Sequence, residues 1–372
     1  MTAGRGVLRA LALGAAAATL LAALLNGPGG PAEPNRRAVT AGGRAGSVAV
    51  EPLWRPGQEQ HGVNVLFYAD GAATGAGTAE RTDRTADVLT TLHANAVAIA
   101  FPFYTDGPDA DAVGPGPGTP SPALVGSAAA GLNRRGFRVT LRPLLDEAAV
   151  SGDGGWRGTL APRDRDAWFA SYREFLAPYL VAAGPAGVTT FDIGSELESL
   201  EADRRWDGLI AWAASRFTGE IAYAQNWSAW QSAGSRPDAL LAVDAYPPFA
   251  GLADTAGPEE VEQRWRQWLR ERPPDGTLVG TVLREVGIPA QEGAYAQPYR
   301  TARSTDRVLP EIQEHWFTAA CRAQRSAGMA GVYFWALDLN ADPRTPPPRP
   351  DPTTFLRAPA EAAIRECFAA RR

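Results

Sequence analysis

VTTFDIGSELE, residues 188–198, decides how the rest of the chain is read. Its β-branched and aromatic run, Val188 to Ile193, predicts a buried strand that stops at Gly194. Glu196 falls where that strand runs out. An acidic residue at the C-terminal end of a buried parallel strand is where a (β/α)8 barrel carries its chemistry. The pattern returns in TLVGTVLREVG, residues 277–287, where an apolar run from Leu278 to Leu283 delivers Glu285. Two such strands place two carboxylates across one mouth.

Six further stretches have the same near-continuous apolar character. They are HGVNVLFYA (61–69), NAVAIAFPFY (95–104), FRVTLRPLLDE (137–147), GEIAYAQNW (219–227), ALLAVDAYP (239–247) and AGVYFWALD (330–338). Helical spacing recurs between most of them, over 78–93, 124–136, 165–177, 204–217, 259–271, 309–328 and finally 359–370. Asp164 is the expected N-cap of the third helix, and Pro178 is expected to end or kink it. No hairpin turn joins neighbouring strands, as expected for buried parallel strands. Eight of them predict an α/β fold, a single (β/α)8 TIM barrel over residues 59–372. A doubly wound sheet is the alternative, but no Gly-rich phosphate loop follows the first strand.

The N-terminus reads differently. Arg5 and Arg9 precede an apolar run, Ala10 to Leu25, the layout of an export signal. The run is shorter than the roughly 20 residues of a spanning helix, and no clear A-x-A site follows it. Residues 1–26 are therefore expected to be a signal peptide or a single-helix membrane anchor. Residues 27–58, rich in Pro, Gly, Ala and Arg, read as a flexible linker. The barrel is expected to be secreted or held at the extracellular face of the cell membrane.

The 372 residues carry a net charge of −5 with the signs interspersed, which argues against nucleic acid or an anionic membrane as a partner. Three His and two Cys are too few and too scattered for a metal centre, and no cofactor is expected. Eleven Trp suit a concave site with flat apolar walls. Cys321 and Cys367 fall on the last two helices, neighbours in a barrel. Either a disulfide or two buried thiols fits the sequence.

Glu196 and Glu285 are the expected catalytic pair, because retaining glycoside hydrolysis uses two carboxyl groups, one to protonate the leaving oxygen and one to attack the anomeric carbon. Glu198, one alternation further on, competes with Glu196 and ranks second. Tyr246 is placed to donate a hydrogen bond to Glu285, although a core tyrosine fits as well. Trp335, flanked by Phe334 and Asp338, is the candidate platform under a sugar ring. Asn226 and Trp227 are candidates for a sugar hydroxyl and a ring face, with a plain turn Asn as the alternative. Arg142 and Asp146 either pair with each other or bind hydroxyls, and pairing is the preferred reading for Arg142. Tyr68 and Asn64 are weaker candidates.

IGSEL, RPLLD followed by GGWRG, AYAQNW with VDAYPP, and REVGIPAQEGAYAQP together resemble glycoside hydrolase family 113 of clan A. The resemblance runs from about Gly62 to Leu337. It implies a (β/α)8 retaining enzyme, with β-mannanase as the best-known activity, Glu196 as acid/base, Glu285 as nucleophile and, from the likeness of GGWRG to the family's WRG segment, Trp156 and Arg157 as a wall of the cleft. The expected partner is a carbohydrate, and the chain is expected to be a monomer. Two positions depart from the family pattern: Ser195 stands where many clan members carry Asn, and Leu144 where the family carries His. A barrel that binds sugar without cleaving it is the competing reading.

Overall fold

The structure, a computed structural model, describes residues 51–70, 74–151, 155–230, 239–271, 278–346 and 351–370. The expected signal or anchor, and the linker as far as residue 50, lie outside the described residues. Among the described residues, no helix is long and apolar enough to cross a membrane.

Eight parallel strands close a barrel: β1 (Gln60–Leu66), β2 (Ala96–Thr105), β4 (Arg138–Leu145), β5 (Thr190–Ser195), β6 (Glu220–Asn226), β7 (Leu240–Asp244), β8 (Val282–Val286) and β9 (Gly331–Asp338). They follow one another in chain order around the barrel, and β1 pairs with both β2 and β9 to close it. A two-residue strand, β3 (Val113–Gly114), pairs antiparallel with the end of β2 and had no sequence signal. The fold is the predicted (β/α)8 barrel.

Seven helices are described: α1 (Gly75–Thr91), α2 (Pro122–Arg134), α3 (Arg165–Ala183), α4 (Arg205–Ala214), α5 (Pro258–Arg270), α6 (Pro310–Ser326) and α7 (Pro359–Ala369). Asp164 caps α3, accepting from the Ala167 N–H. Pro178 does not end this helix, which continues to Ala183. Its last turn is held from outside: Tyr179 stacks on Phe101 and donates to the Pro120 carbonyl, which outweighs the backbone bond that Pro removes.

Two more boundaries move. The seventh predicted strand starts at Val282, not Leu278, because Gly280 at φ +87° turns the chain first. Glu285 therefore lies within its strand. The last residues of the expected linker are also tied down: the Leu53 N–H donates to the Gly136 carbonyl, and the Arg138 guanidinium lies 4.3 Å over the Trp54 ring. Cys321 on α6 and Cys367 on α7 form a disulfide.

Candidate active site

Register sets the level of the site. Asn226, Asp244 and Glu285 are neighbours across β6, β7 and β8. The pairing of β8 with β9 slips between Leu283 and Val286. Such a bulge re-aims side chains, and the adjacent Arg284 and Glu285 both reach one buried cluster. Glu285 is 4% exposed. The Tyr246 hydroxyl donates to its Oε2 at 2.7 Å, and Arg142 Nη1 lies 2.8 Å from its Oε1.

Arg142, on β4, is the centre of that cluster. Its Nη2 donates to both Asp244 oxygens, at 3.0 and 2.9 Å, and to Ser195 Oγ at 3.1 Å. Nη1 donates to Asn64 Oδ1, and Nε is 3.3 Å from Asp192 Oδ2. Arg284 meets the same Asp192 oxygen at 3.1 Å and lies over the Tyr333 ring. Charges this deeply buried persist only when paired. Burial pushes the Asp244 carboxyl well above its usual range, and Arg142 offsets part of that rise.

Glu196 follows β5 in the left-handed backbone region, at φ +55°, a strained conformation for a side-chain-bearing residue. Its N–H is held by the Ala224 carbonyl at 3.1 Å, which fixes the turn. The side chain is 14% exposed, and Arg157 Nε stands 3.8 Å away. Burial pushes its carboxyl up to about 7, with Arg157 opposing and the Glu285 charge adding to the rise.

Glu196 and Glu285 line one cleft of about 760 Å³. That size suits a ligand of several rings. Trp156, Arg157 and Glu147 form one wall, Trp335 another, and Asn226 with Trp227 a third, extended by Tyr299 and Arg300 from the loop before α6. Trp227 stacks on Tyr299 with ring centres 5.7 Å apart. Gly287 keeps the floor open, since a Cβ there would press on Tyr246 and Trp335 at 3.1 and 3.2 Å.

Residues 67–347 match the profile of Glycoside Hydrolase Family 113. The chain belongs to glycoside hydrolase family 113. It is a glycoside hydrolase acting on carbohydrate. Among solved structures, the family 113 β-mannanase AaManA from Alicyclobacillus acidocaldarius superposes with a TM-score of 0.66 at 20% identity, over 84% of this chain and 97% of that one. A family 113 β-1,4-mannanase gives 0.68 at 16% identity, over 84% and 100%. A GH5_18 structure from Streptomyces cattleya, with GlcNAc, gives 0.53 at 13%, over 84% and 80%. At these identities the likeness is one of fold. Among curated proteins, none matches the chain significantly.

The family 113 barrel brings Glu196, Glu285, Tyr246, Trp335, Asn226, Trp227 and Trp156 to one cleft. It does not bring Tyr68, Asp146 or Arg142 to the cleft wall. Asp146 lies beyond the end of β4 and accepts from the Ala148 N–H in a turn. It is not the partner of Arg142, which points into the barrel where Asp244, Asp192 and Glu285 surround it. Arg142 has no exposed surface for a sugar. Tyr68 is exposed and stands against the Gly118 loop beside Tyr104. Phe334 is fully buried, packed on Phe317 and Phe368. Glu198 lines the cleft with its Oε2 taken by Asn226 and Ser228. Ser195 and Leu144 are both buried and do not line the cleft.

Asp192, Asp244 and Arg284 were missed as a group. Their signal was a charged residue inside an apolar strand, which demands a partner of opposite sign on another strand. Glu147, Tyr299 and Arg300 lie on loops and left no such mark.

Proposed function

We propose that this family 113 enzyme is a retaining endo-β-mannanase, with Glu196 as acid/base and Glu285 as nucleophile. The observation that carries the reading is the contrast between two carboxyls in one cleft. Glu285 accepts the Tyr246 hydroxyl and lies 2.8 Å from the Arg142 guanidinium. Glu196 sits in a buried site that favours its proton.

In the first step a Glu285 oxygen attacks the anomeric carbon while the Glu196 proton passes to the departing glycosidic oxygen. A glycosyl ester forms on Glu285, and the leaving sugar carries away the proton. In the second step Glu196, now a carboxylate, takes a proton from water as that water's oxygen attacks the anomeric carbon and frees Glu285. Trp335 supplies an apolar face under the reacting ring, and Trp227 with Tyr299 a second one further along the cleft. Mannan is favoured because two of the similar structures are described as β-mannanases.

The barrel acts outside the cell in this reading, secreted or anchored through its N-terminal segment. The Cys321–Cys367 disulfide suits an oxidising compartment. The test is hydrolysis of β-mannan, β-glucan and aryl β-glycosides by the full chain beside Glu196→Ala and Glu285→Ala. Release of oligosaccharides from β-mannan, lost in both variants, is expected. Preference for β-glucan, or activity surviving in either variant, overturns the assignment.

A further inference from the structure

Arg157 stands between two carboxylates and is shared unequally. Its Nε donates to Glu147 Oε1 at 2.9 Å, and its backbone N–H reaches the same oxygen at 3.3 Å. Glu196 Oε2 is 3.8 Å from that Nε, an ion-pair distance without a hydrogen bond. The segment carrying Arg157 is pinned. A 3-10 turn, Arg157–Thr159, opens with the Trp156 N–H donating to Thr159 Oγ1, and Ser199 Oγ donates to the Leu160 carbonyl at 2.6 Å. Ser199 belongs to the loop that follows Glu196, so the two loops are tied together.

The unequal sharing has a chemical consequence. A direct hydrogen-bonded pair between Arg157 and Glu196 strongly favours the Glu196 carboxylate and strips it of the proton that a general acid must deliver. With no guanidinium nearby, Glu196 holds its proton too tightly to act as the base of the second step. Resting on the reading of Glu196 as acid/base, we propose that Glu147 is a positioning residue that restrains Arg157, and that the restrained guanidinium sets how firmly Glu196 holds its proton.

The other charged and titratable groups facing Glu196 are Glu285 from β8, Arg142 from β4, and Asp244 and Tyr246 from β7 and the segment after it. All four lie deeper, in the fixed cluster. Glu147 and Arg157 are the charged pair on the solvent side, with side chains 37% and 19% exposed.

The test follows Glu196 itself, by carboxyl carbon NMR of the ¹³C-glutamate-labelled protein across pH, with the signal assigned through Glu196→Gln. In Arg157→Gln the midpoint is expected to rise by about one unit; in Glu147→Gln, where the charge that draws Arg157 aside is gone, it is expected to fall by about one unit, a fall absent when Glu147→Gln is made in the Arg157→Gln background. Arg157→Lys is expected to stay near the parent. Thermal melts accompany each variant, and Glu147→Gln carries the test alone if the Arg157 variants do not fold. An unmoved or rising midpoint in Glu147→Gln overturns the inference. A separate assay guards the reading beneath it: azide restores turnover of an activated aryl β-mannoside by Glu196→Ala if Glu196 is the acid/base. Absence of that rescue removes the functional reading, whereas an unmoved midpoint with rescue intact removes only the role of Glu147.

Discussion

Tyr246 donates its hydroxyl to Glu285 Oε2 across 2.7 Å, from the end of one barrel strand to the next. Both side chains are buried, and with Arg142 2.8 Å from Oε1 each oxygen of Glu285 has a partner. The carboxylate is therefore held in one orientation by groups on two other parts of the barrel. Tyr246→Phe removes the donor and keeps the ring. A hydrogen bond to a charged group contributes about 1.5–3 kcal/mol. Steady-state kinetics should show kcat/KM falling by roughly 10- to 150-fold, with the fold retained by circular dichroism.

Arg142 holds three carboxylates at once: Asp192, Asp244 and Glu285. Arg142→Met fills the space and leaves those groups without their shared cation. Removing one partner of a buried ion pair costs about 3–5 kcal/mol. Urea unfolding should show a loss of that order, together with loss of turnover. A variant as stable as the parent would mean that the cluster is not what holds the barrel floor.

Glu196 titrates in the folded protein at about 7, above the usual 4.5. A carboxyl raised in this way favours the folded state fully below its unfolded pKa and loses that contribution as pH rises through the folded value. Glu196→Gln does not titrate. Its stability relative to the parent should therefore increase between about pH 4.5 and 7 and then level off, by on the order of 3 kcal/mol in denaturant titrations. In the parent, the alkaline limb of kcat/KM should fall near pH 7, where the acid loses its proton.

The disulfide between α6 and α7 joins residues 46 apart in sequence. Closing a loop of that length stabilises by about 4 kcal/mol in the chain-entropy account. The double variant Cys321→Ser/Cys367→Ser should melt at a lower temperature. It should keep its turnover at 25 °C, since neither residue borders the cleft.

Much of this was legible in the chain. The strands were readable because parallel barrel strands are buried on both faces and leave unbroken apolar runs, and Glu196 stood out because it follows one of them directly. Glu285 was found by the same pattern as the last residue of its strand; the strand in fact starts later and runs on to Val286, since the turn at Gly280 looks apolar in sequence. Pro178 misled because a local rule gave way to the tertiary contacts of Tyr179. Arg142 was matched with Asp146, a neighbour in sequence. Its real ionic partners come from three other strands, and only closure of the barrel brings those together. The role of Glu147 depends on a difference between 2.9 and 3.8 Å, which no spacing encodes.

The most direct test of the two-carboxylate account is to trap the glycosyl enzyme with an activated 2-deoxy-2-fluoro β-mannoside and map the label by peptide mass spectrometry. The account predicts one sugar per chain, on Glu285, that turns over slowly and is absent in Glu285→Gln. A label on Glu196 or Glu198, or hydrolysis with inversion and no trapped ester, would contradict it.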